Sequence, residues 1–147
     1  MESDTPTDRP QVITLPRAVV SEMLAHIQAG YPNEACGVLA GADGRVVKHY
    51  PAINASETPE TFSQIGSREL LSIAQEIDDN DWTFFAYYHS HPRTPAYPSP
   101  RDIALAQGWP GTLYIIFSLR DQDQPEMRIF SINSARSVSE HQVNIEP

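Results

Sequence analysis

The segment from residue 83 to residue 102 constrains the fold more than any other part of the sequence. It begins with the aromatic-rich run "TFFAYYHSH" (83–91), which is typical of a strand, and continues into "PRTPAYPSPRD" (92–102), which contains four prolines. Because proline fixes φ and removes a backbone donor, the chain can continue there neither as a helix nor as a central strand. The sequence therefore predicts a strand that ends on two histidines and opens into a rigid, irregular loop.

Hydrophobic periodicity on both sides of this loop predicts an α/β domain. Apolar residues at helical spacing indicate a helix after Pro16, a second over 67–81 and a third that starts at 99. The turn "ADG" (42–44) indicates a β-hairpin. Strands are predicted at 11–15, 34–41, 44–52, 61–65 ("TFSQI"), 83–91, 112–119, 126–132 and 138–145. Because helices alternate with strands early and strands close the chain, we expect a single-domain mixed β-sheet flanked by helices.

Length and charge limit the domain organisation and the classes of partner. The chain has 147 residues, enough for one domain, and we expect a disordered tail at 1–10 followed by one folded domain at 11–147. A net charge of −9 argues against nucleic acid or an anionic membrane as the main partner. The first residues lack the apolar core of a signal peptide, and no apolar run is long enough for a membrane span. A soluble, cytoplasmic protein is therefore expected.

Side chains that bind metals surround the proline-rich loop. His89 and His91 lie two residues apart on a predicted strand, so they face the same side and can share a metal ion. Asp102 lies in the first turn of a helix that Ser99 and Pro100 predict, and the loop can return it to the same point. Two imidazoles and one carboxylate leave a fourth tetrahedral position for water, which is typical of a catalytic zinc site.

Hydrolysis at such a site also needs a general base and a donor for the oxyanion. Glu34 is the best candidate for the base, because it begins the buried run "EACGVLAG". The Ser99 hydroxyl is the candidate oxyanion donor. Asp102 has a structural alternative as the third residue of a helix cap with Ser99, and the two roles can coexist. Cys36 would face the same side as Glu34, but a buried cysteine is usually a small hydrophobic residue, so its role stays open.

These residues together resemble the signature of the JAMM (MPN+) metalloproteases. The family pattern is an upstream Glu followed by H-[ST]-H-P-x(6)-S-x(2)-D, and this chain has "HSHPRTPAYPSPRD" (89–102) downstream of Glu34. The stretches "PNEACGVLAG", "NASETPETF" and "AYPSPRDIALA" are also similar to small bacterial and archaeal members. The resemblance covers about residues 12–145, so it extends well beyond the motif.

The resemblance implies a fold related to that of the cytidine deaminases and one Zn²⁺ per chain. By position, His89, His91 and Asp102 would be the metal ligands, Glu34 the base and Ser99 the residue that stabilises the oxyanion. Family substrates are amide or isopeptide bonds after the C-terminal Gly-Gly of ubiquitin-like proteins. Within the small prokaryotic branch, the chain is similar to members that remove cysteine from the C-terminus of a sulfur-carrier protein, which would then be its partner.

Three other functions remain to be compared with cysteine release. An isopeptidase that removes a ubiquitin-like modifier from lysine side chains would use the same residues. A non-catalytic MPN scaffold typically lacks the histidine pair or the glutamate, and this chain keeps both. A nucleoside deaminase, suggested by fold kinship only, would need a Cys-rich "PCxxC" ligand pair, whereas this chain has one cysteine.

Several residues near the predicted site are candidates for contact with the substrate. Thr61, Phe62 and Ser63 belong to the predicted strand "TFSQI", whose edge could pair with an extended substrate tail. Arg93 and Arg101 flank the proline-rich loop. Either arginine could bind a substrate carboxylate, and the alternative for both is a solvated surface position.

Overall fold

A computed structural model describes residues 9–147, which form seven strands and three helices. The elements in chain order are β1 (Val12–Pro16), α1 (Arg17–Gly30), β2 (Cys36–Ala42), β3 (Arg45–Ala52), α2 (Ser67–Asp79), β4 (Thr83–His91), α3 (Pro100–Ala106), β5 (Leu113–Ser118), β6 (Glu126–Ile132) and β7 (Val138–Glu146). This order matches the sequence prediction except for the strand expected at 61–65.

The seven strands form one mixed sheet in the order β1-β7-β6-β5-β4-β2-β3. The pairs β1–β7 and β4–β5 are parallel, and the other neighbours are antiparallel. Asp43 and Gly44, both with positive φ, make the tight turn between β2 and β3 that "ADG" predicts. The predicted single-domain mixed sheet with flanking helices is therefore confirmed.

The sheet separates two hydrophobic cores. On one face, α1 buries Met23 against a core that includes Tyr88. On the other face, α2 buries Ile73 and Ile77 in a core that includes Tyr87, and α3 lies on this same face. Because successive strand residues alternate between faces, the odd-numbered residues at the end of β4 point towards α2 and α3.

The sheet curves so that its two edge strands, β1 and β3, contact each other. The first residue of β3 and the last residue of β7 are joined by an ion pair, Arg45 Nη1 to Glu146 Oε1, at 3.4 Å. Helix α1 contacts β1, β3 and β7, which are strands from both edges. The sheet therefore wraps around α1 and leaves its opposite face to α2, α3 and the polar residues at the end of β4.

The prediction of a strand at 61–65 is wrong. Only Ile65 pairs, in an isolated bridge with Asn54, and the rest of the segment is irregular. The polar groups of this backbone are bound instead by a side chain: Asn54 Nδ2 donates to the carbonyl of Phe62, and Asn54 Oδ1 accepts from the N–H of Gln64. The β-propensity of "TFSQI" is therefore overridden by a loop that Asn54 organises.

Two further predictions concern the chain ends and membranes. The tail at 1–10 lies mostly outside the described residues, so the division of the chain at residue 11 stays a prediction. Within residues 9–147, none of the helices is long and apolar enough to span a lipid bilayer.

Candidate metal centre

The end of β4 and the first turn of α3 bring three potential metal ligands together. The Nε2 atoms of His89 and His91 are 3.2 Å apart. Asp102 places Oδ1 at 3.2 Å from Nε2 of His89 and Oδ2 at 3.0 Å from Nε2 of His91. All three side chains are buried, and they form the one group of potential metal ligands found within residues 9–147.

These distances fit a four-coordinate metal ion. Ligands about 2.0–2.1 Å from a tetrahedral ion lie roughly 3.3 Å from one another. The separations of 3.0–3.2 Å among His89, His91 and Asp102 are close to that value. Two imidazole nitrogens and one carboxylate also form a donor set that leaves one coordination position for water or substrate. The residues present therefore fit a catalytic rather than a structural metal site.

The two imidazoles are oriented in different ways. His91 Nδ1 lies 2.9 Å from the carbonyl oxygen of Pro95, so Nδ1 carries the proton and the Nε2 lone pair points to the centre. His89 Nδ1 is buried without a hydrogen-bond partner in the described part of the chain. Its ring instead packs against the rings of Tyr87 and Tyr114. Packing therefore orients the His89 ring, and a hydrogen bond orients the His91 ring.

The electrostatics of Asp102 suit a metal ligand. Burial alone would raise the pKa of Asp102, but His89, His91 and the N–H of Ser99 hold it well below its usual range. Burial would likewise lower the pKa of His91, but Asp102 and the carbonyl of Pro95 raise it above its ordinary value. The carboxylate is therefore ionised at neutral pH, which is the form that binds a cation.

Ser99 caps α3 and keeps its own proton free. Asp102 N donates to Ser99 Oγ, and Ser99 N donates back to Asp102 Oδ2, with Pro100 at the first helical position. This is the capping box that the sequence predicts. Because Oγ is the acceptor in this pair, the hydroxyl hydrogen is available to a further acceptor. The cap and the predicted oxyanion contact are therefore compatible.

Glu34 lies just before β2, and both its backbone N–H and its carbonyl are hydrogen-bonded. Its N–H donates to the carbonyl of Pro59 at 2.7 Å, and its carbonyl accepts from Asn54 Nδ2 at 2.9 Å. Burial raises the pKa of Glu34 to about 7, although the nearby imidazoles of His89 and His91 oppose this. Oε1 is buried without a hydrogen-bond partner in the described residues. A carboxylate of this kind suits a general base at neutral pH.

Asn54 organises the backbone around Glu34, a role that none of the sequence patterns predicts. Its amide donates to the carbonyls of Glu34 and Phe62, and its Oδ1 accepts from the N–H groups of Ser56 and Gln64. Only a side-chain amide carries the donors and the acceptor that this pattern needs. No spacing rule marks Asn54, and the available signal was its place in the stretch "NASETPETF".

Ser63 lies near the Glu34 carboxyl and is hydrogen-bonded to Tyr87. Their hydroxyl oxygens are 2.7 Å apart, and both residues are buried. The Ser63 hydroxyl also lowers the pKa of Glu34 and so partly offsets the effect of burial. The sequence predicts that Ser63 contacts substrate, but only 2% of its surface is exposed and its hydroxyl is used inside the protein. Thr61 is exposed and Phe62 is partly buried.

Cys36 lies in the hydrophobic core and outside the group of potential metal ligands. It pairs with His89 in the register of β2 and β4 and is fully buried. Burial raises the pKa of its thiol to about 12. The thiol is therefore protonated at neutral pH and is not activated as a nucleophile.

The two arginines that flank the proline-rich loop have different partners. Arg93 Nη2 lies 3.1 Å from Glu60 Oε1. The guanidinium carbon of Arg101 lies 3.9 Å from the centre of the Phe62 ring. Both arginines therefore link the metal-binding side of the site to the segment that follows Asn54.

Comparisons with known proteins relate the chain to one family. The family described as "Prokaryotic homologs of the JAB domain" matches residues 16–133. The chain is 38% identical over 136 residues to the CysO-cysteine peptidase of Mycobacterium tuberculosis, covering 91% of each chain. It is 35% identical over 102 residues to the desampylase of Haloferax volcanii, covering 65% of this chain and 73% of that protein. A solution structure of a protein from Desulfitobacterium hafniense superposes with a TM-score of 0.77 at 36% identity, covering 92% of each chain.

Proposed function

This chain belongs to the family of prokaryotic homologues of the JAB domain and is a hydrolase of that type, and from this premise we propose that it releases cysteine from a ubiquitin-like sulfur-carrier protein. The bond cleaved is the amide after the carrier's C-terminal Gly-Gly. The proposal depends on one observation: near-full-length similarity to a CysO-cysteine peptidase coincides with a complete His89–His91–Asp102 group.

The proposed metal is zinc, one ion per chain, held by His89, His91 and Asp102. When bound there, zinc would polarise the scissile carbonyl and lower the pKa of an attacking water. Glu34 takes a proton from that water and delivers it to the leaving amine, for which its free Oε1 is suited. Ser99 donates its hydroxyl hydrogen to the carbonyl oxygen as negative charge develops there. The C–N bond breaks, leaving a Gly-Gly carboxylate and free cysteine.

The carrier tail is proposed to reach the centre between the segment that follows Asn54 and the start of α3. Glycine suits this path because it lets the backbone approach the reacting groups closely. The candidate contacts with the tail are Thr61, which is exposed, Phe62 and Arg93. In this proposal Ser63 acts on Glu34 rather than on the tail, and the enzyme works in the cytoplasm without nucleic acid or membrane partners.

A second candidate function is an isopeptidase that removes a ubiquitin-like modifier from lysine side chains. The observation that favours it is the similarity to a desampylase. The residues named above would serve both reactions, because an isopeptide bond is also an amide after Gly-Gly. The two candidates differ only in the leaving amine.

A mass-spectrometric cleavage assay with zinc-loaded protein tests the proposal. One substrate is a small sulfur carrier that ends in Gly-Gly-Cys, and the other is the same carrier joined through Gly-Gly to a lysine side chain. Glu34→Ala is the control for contaminating activity. Faster release of cysteine supports the proposal, and faster cleavage at lysine favours the isopeptidase. Cleavage of neither substrate contradicts both functions.

A further inference from the structure

We propose that Arg101 forms a binding site for the α-carboxylate of the leaving cysteine and so selects a C-terminal amino acid over a lysine side chain. This inference rests on the function proposed above, because it concerns the leaving group of that reaction. It assigns a role to a residue that belongs neither to the metal centre nor to the acid–base groups.

Arg101 lies at the edge of the site, between the start of α3 and the segment that follows Asn54. It is the residue before Asp102 in the first turn of α3. Its guanidinium carbon lies 3.9 Å from the centre of the Phe62 ring, and the Phe62 carbonyl accepts from Asn54 Nδ2, which also donates to the carbonyl of Glu34. The side chain therefore crosses from the helix that carries a potential ligand to the segment that supports the base.

The charge of Arg101 is not neutralised by a carboxylate within residues 9–147. The ion pairs in that part of the chain include Arg93 with Glu60, Arg120 with Glu126, and Arg128 with Glu140, but none involves Arg101. This is notable in a chain with a net charge of −9. Of the two arginines that flank the loop, Arg101 is therefore the one with a free charge for an incoming anion.

The contact with Phe62 orients Arg101 without using its donors. A guanidinium that stacks on an aromatic ring uses its face, so the N–H groups at its edge remain available. These N–H groups form a planar fork that matches the two oxygens of a carboxylate. Stacking also reduces the number of side-chain conformations, which lowers the entropy lost when a carboxylate binds.

The two candidate leaving groups differ in the place of their carboxylate. In a carrier–cysteine amide, the carboxylate is attached to the carbon that bears the scissile nitrogen. In an isopeptide, the scissile nitrogen is at the end of the flexible lysine side chain, and the lysine α-carbon lies within another polypeptide. A cation at the edge of the site can therefore contact the first leaving group and has no equivalent partner in the second.

The experiment changes one group on each side of this contact. Carrier ending in Gly-Gly-Cys is prepared with a free C-terminal carboxylate and, separately, with a carboxamide. kcat/KM is then measured for wild type, Arg101→Gln, Arg101→Lys and Arg93→Gln, all loaded with zinc. Arg17→Gln, which changes an exposed arginine on α1, is the control for a lost positive charge. Because each protein is compared with itself on two substrates, partial unfolding of a variant cancels.

Wild type and Arg17→Gln should prefer the carboxylate substrate by about tenfold, as expected for a charge-assisted hydrogen bond at an exposed position. In Arg101→Gln the ratio should fall to near one, and Arg101→Lys should restore part of it. Equal cleavage of both substrates by wild type overturns the inference but leaves the proposed function standing. A preference that survives in Arg101→Gln, or that is lost only in Arg93→Gln, also overturns it. If wild type cleaves neither substrate, the proposed function and this inference fail together.

Discussion

Ser99 and Asp102 hold each other through two reciprocal hydrogen bonds, Asp102 N to Ser99 Oγ at 3.1 Å and Ser99 N to Asp102 Oδ2 at 2.9 Å. The same carboxylate lies 3.0–3.2 Å from the Nε2 atoms of His89 and His91. One helix start therefore fixes a potential metal ligand and a potential oxyanion donor together. A change at Ser99 should consequently affect both the stability of the helix and the reaction.

Ser99→Ala should lower kcat by about 10²-fold to 10³-fold, the usual effect of removing one oxyanion donor. It should also lower the free energy of unfolding by about 1 kcal/mol through loss of the cap. Turnover and urea unfolding measure the two effects separately. Ser99→Thr keeps a hydroxyl that can both cap and donate, so it should recover most of each. If Ser99→Ala lost stability but kept its kcat, Ser99 would act only as the cap of α3.

His89→Ala should abolish zinc binding as well as activity, because it removes one of three potential ligands. Glu34→Ala should keep the metal and lose nearly all activity, because Glu34 lies outside that group. Metal content by mass spectrometry and the rise in Tm on adding zinc are the measurements. At a free zinc concentration of 100 times Kd, the stabilisation of wild type should be about 2.7 kcal/mol.

The control for the metal experiment is His26→Ala, which removes a histidine on the opposite face of the sheet. His26 contacts Tyr88 and belongs to no group of potential ligands within residues 9–147. It should bind zinc as wild type does. If His89→Ala bound zinc as tightly as wild type, His89 would not be a metal ligand.

The potential metal ligands could be predicted from the sequence because local rules place them. Alternation along β4 puts His89 and His91 on one face, and the signals of Ser99 and Pro100 start α3 where Asp102 becomes its third residue. Neither rule depends on the rest of the fold. Only the return of the proline-rich loop had to be assumed, and the structure supplies it.

The surroundings of Glu34 could not be predicted in the same way. Asn54 is twenty residues from Glu34 and reaches it only through loop geometry. Tyr87 is still further along the chain, and only strand register brings it to Ser63. The error at 61–65 has the same origin. An alternating, β-prone run predicts a strand, but Asn54 and the carbonyl of Thr58, which accepts from the N–H groups of Thr61 and Phe62, create a different set of hydrogen bonds that propensity does not contain.

Stability of the metal-free protein should depend on pH through Glu34. Burial raises the pKa of Glu34 to about 7 from 4.5, so the folded state holds this proton more tightly than the unfolded state. The stability contributed by the protonated form is complete below about pH 4.5 and is lost as pH rises through about 7. Glu34→Gln removes this dependence and should be more stable than wild type at pH 8, by at most about 3 kcal/mol.

Chemical unfolding at pH 5 and pH 8 after treatment with a chelator measures this difference. Glu57→Gln, which changes an exposed carboxylate of the neighbouring loop, should keep the pH dependence of wild type. An identical loss of stability between the two pH values in wild type and Glu34→Gln would show that the Glu34 carboxyl is not desolvated as the structure indicates.

Tyr87→Phe and Tyr114→Phe should differ in stability although each removes one hydroxyl from a buried ring. The Tyr87 hydroxyl bonds the buried Ser63, so its removal should cost about 1–2 kcal/mol. The Tyr114 hydroxyl is buried without a hydrogen-bond partner in the described residues, so its removal should be neutral or stabilising. Urea unfolding of the two variants compares them directly. Equal costs would mean that the Ser63–Tyr87 bond contributes nothing specific.

Ser63→Ala should move the pH dependence of kcat/KM to higher pH. The Ser63 hydroxyl favours the ionised form of Glu34 and so lowers its pKa, and the base must be ionised to take a proton. Without that hydroxyl the pKa of Glu34 rises, so the midpoint of the acidic limb should shift upwards while activity on the alkaline side of that limb is largely kept. Ser63→Thr retains a hydroxyl and should restore the wild-type midpoint. A uniform loss of activity with an unchanged midpoint would instead mean that Ser63 only fills space beside Glu34, and that burial alone sets the basicity of the proposed base.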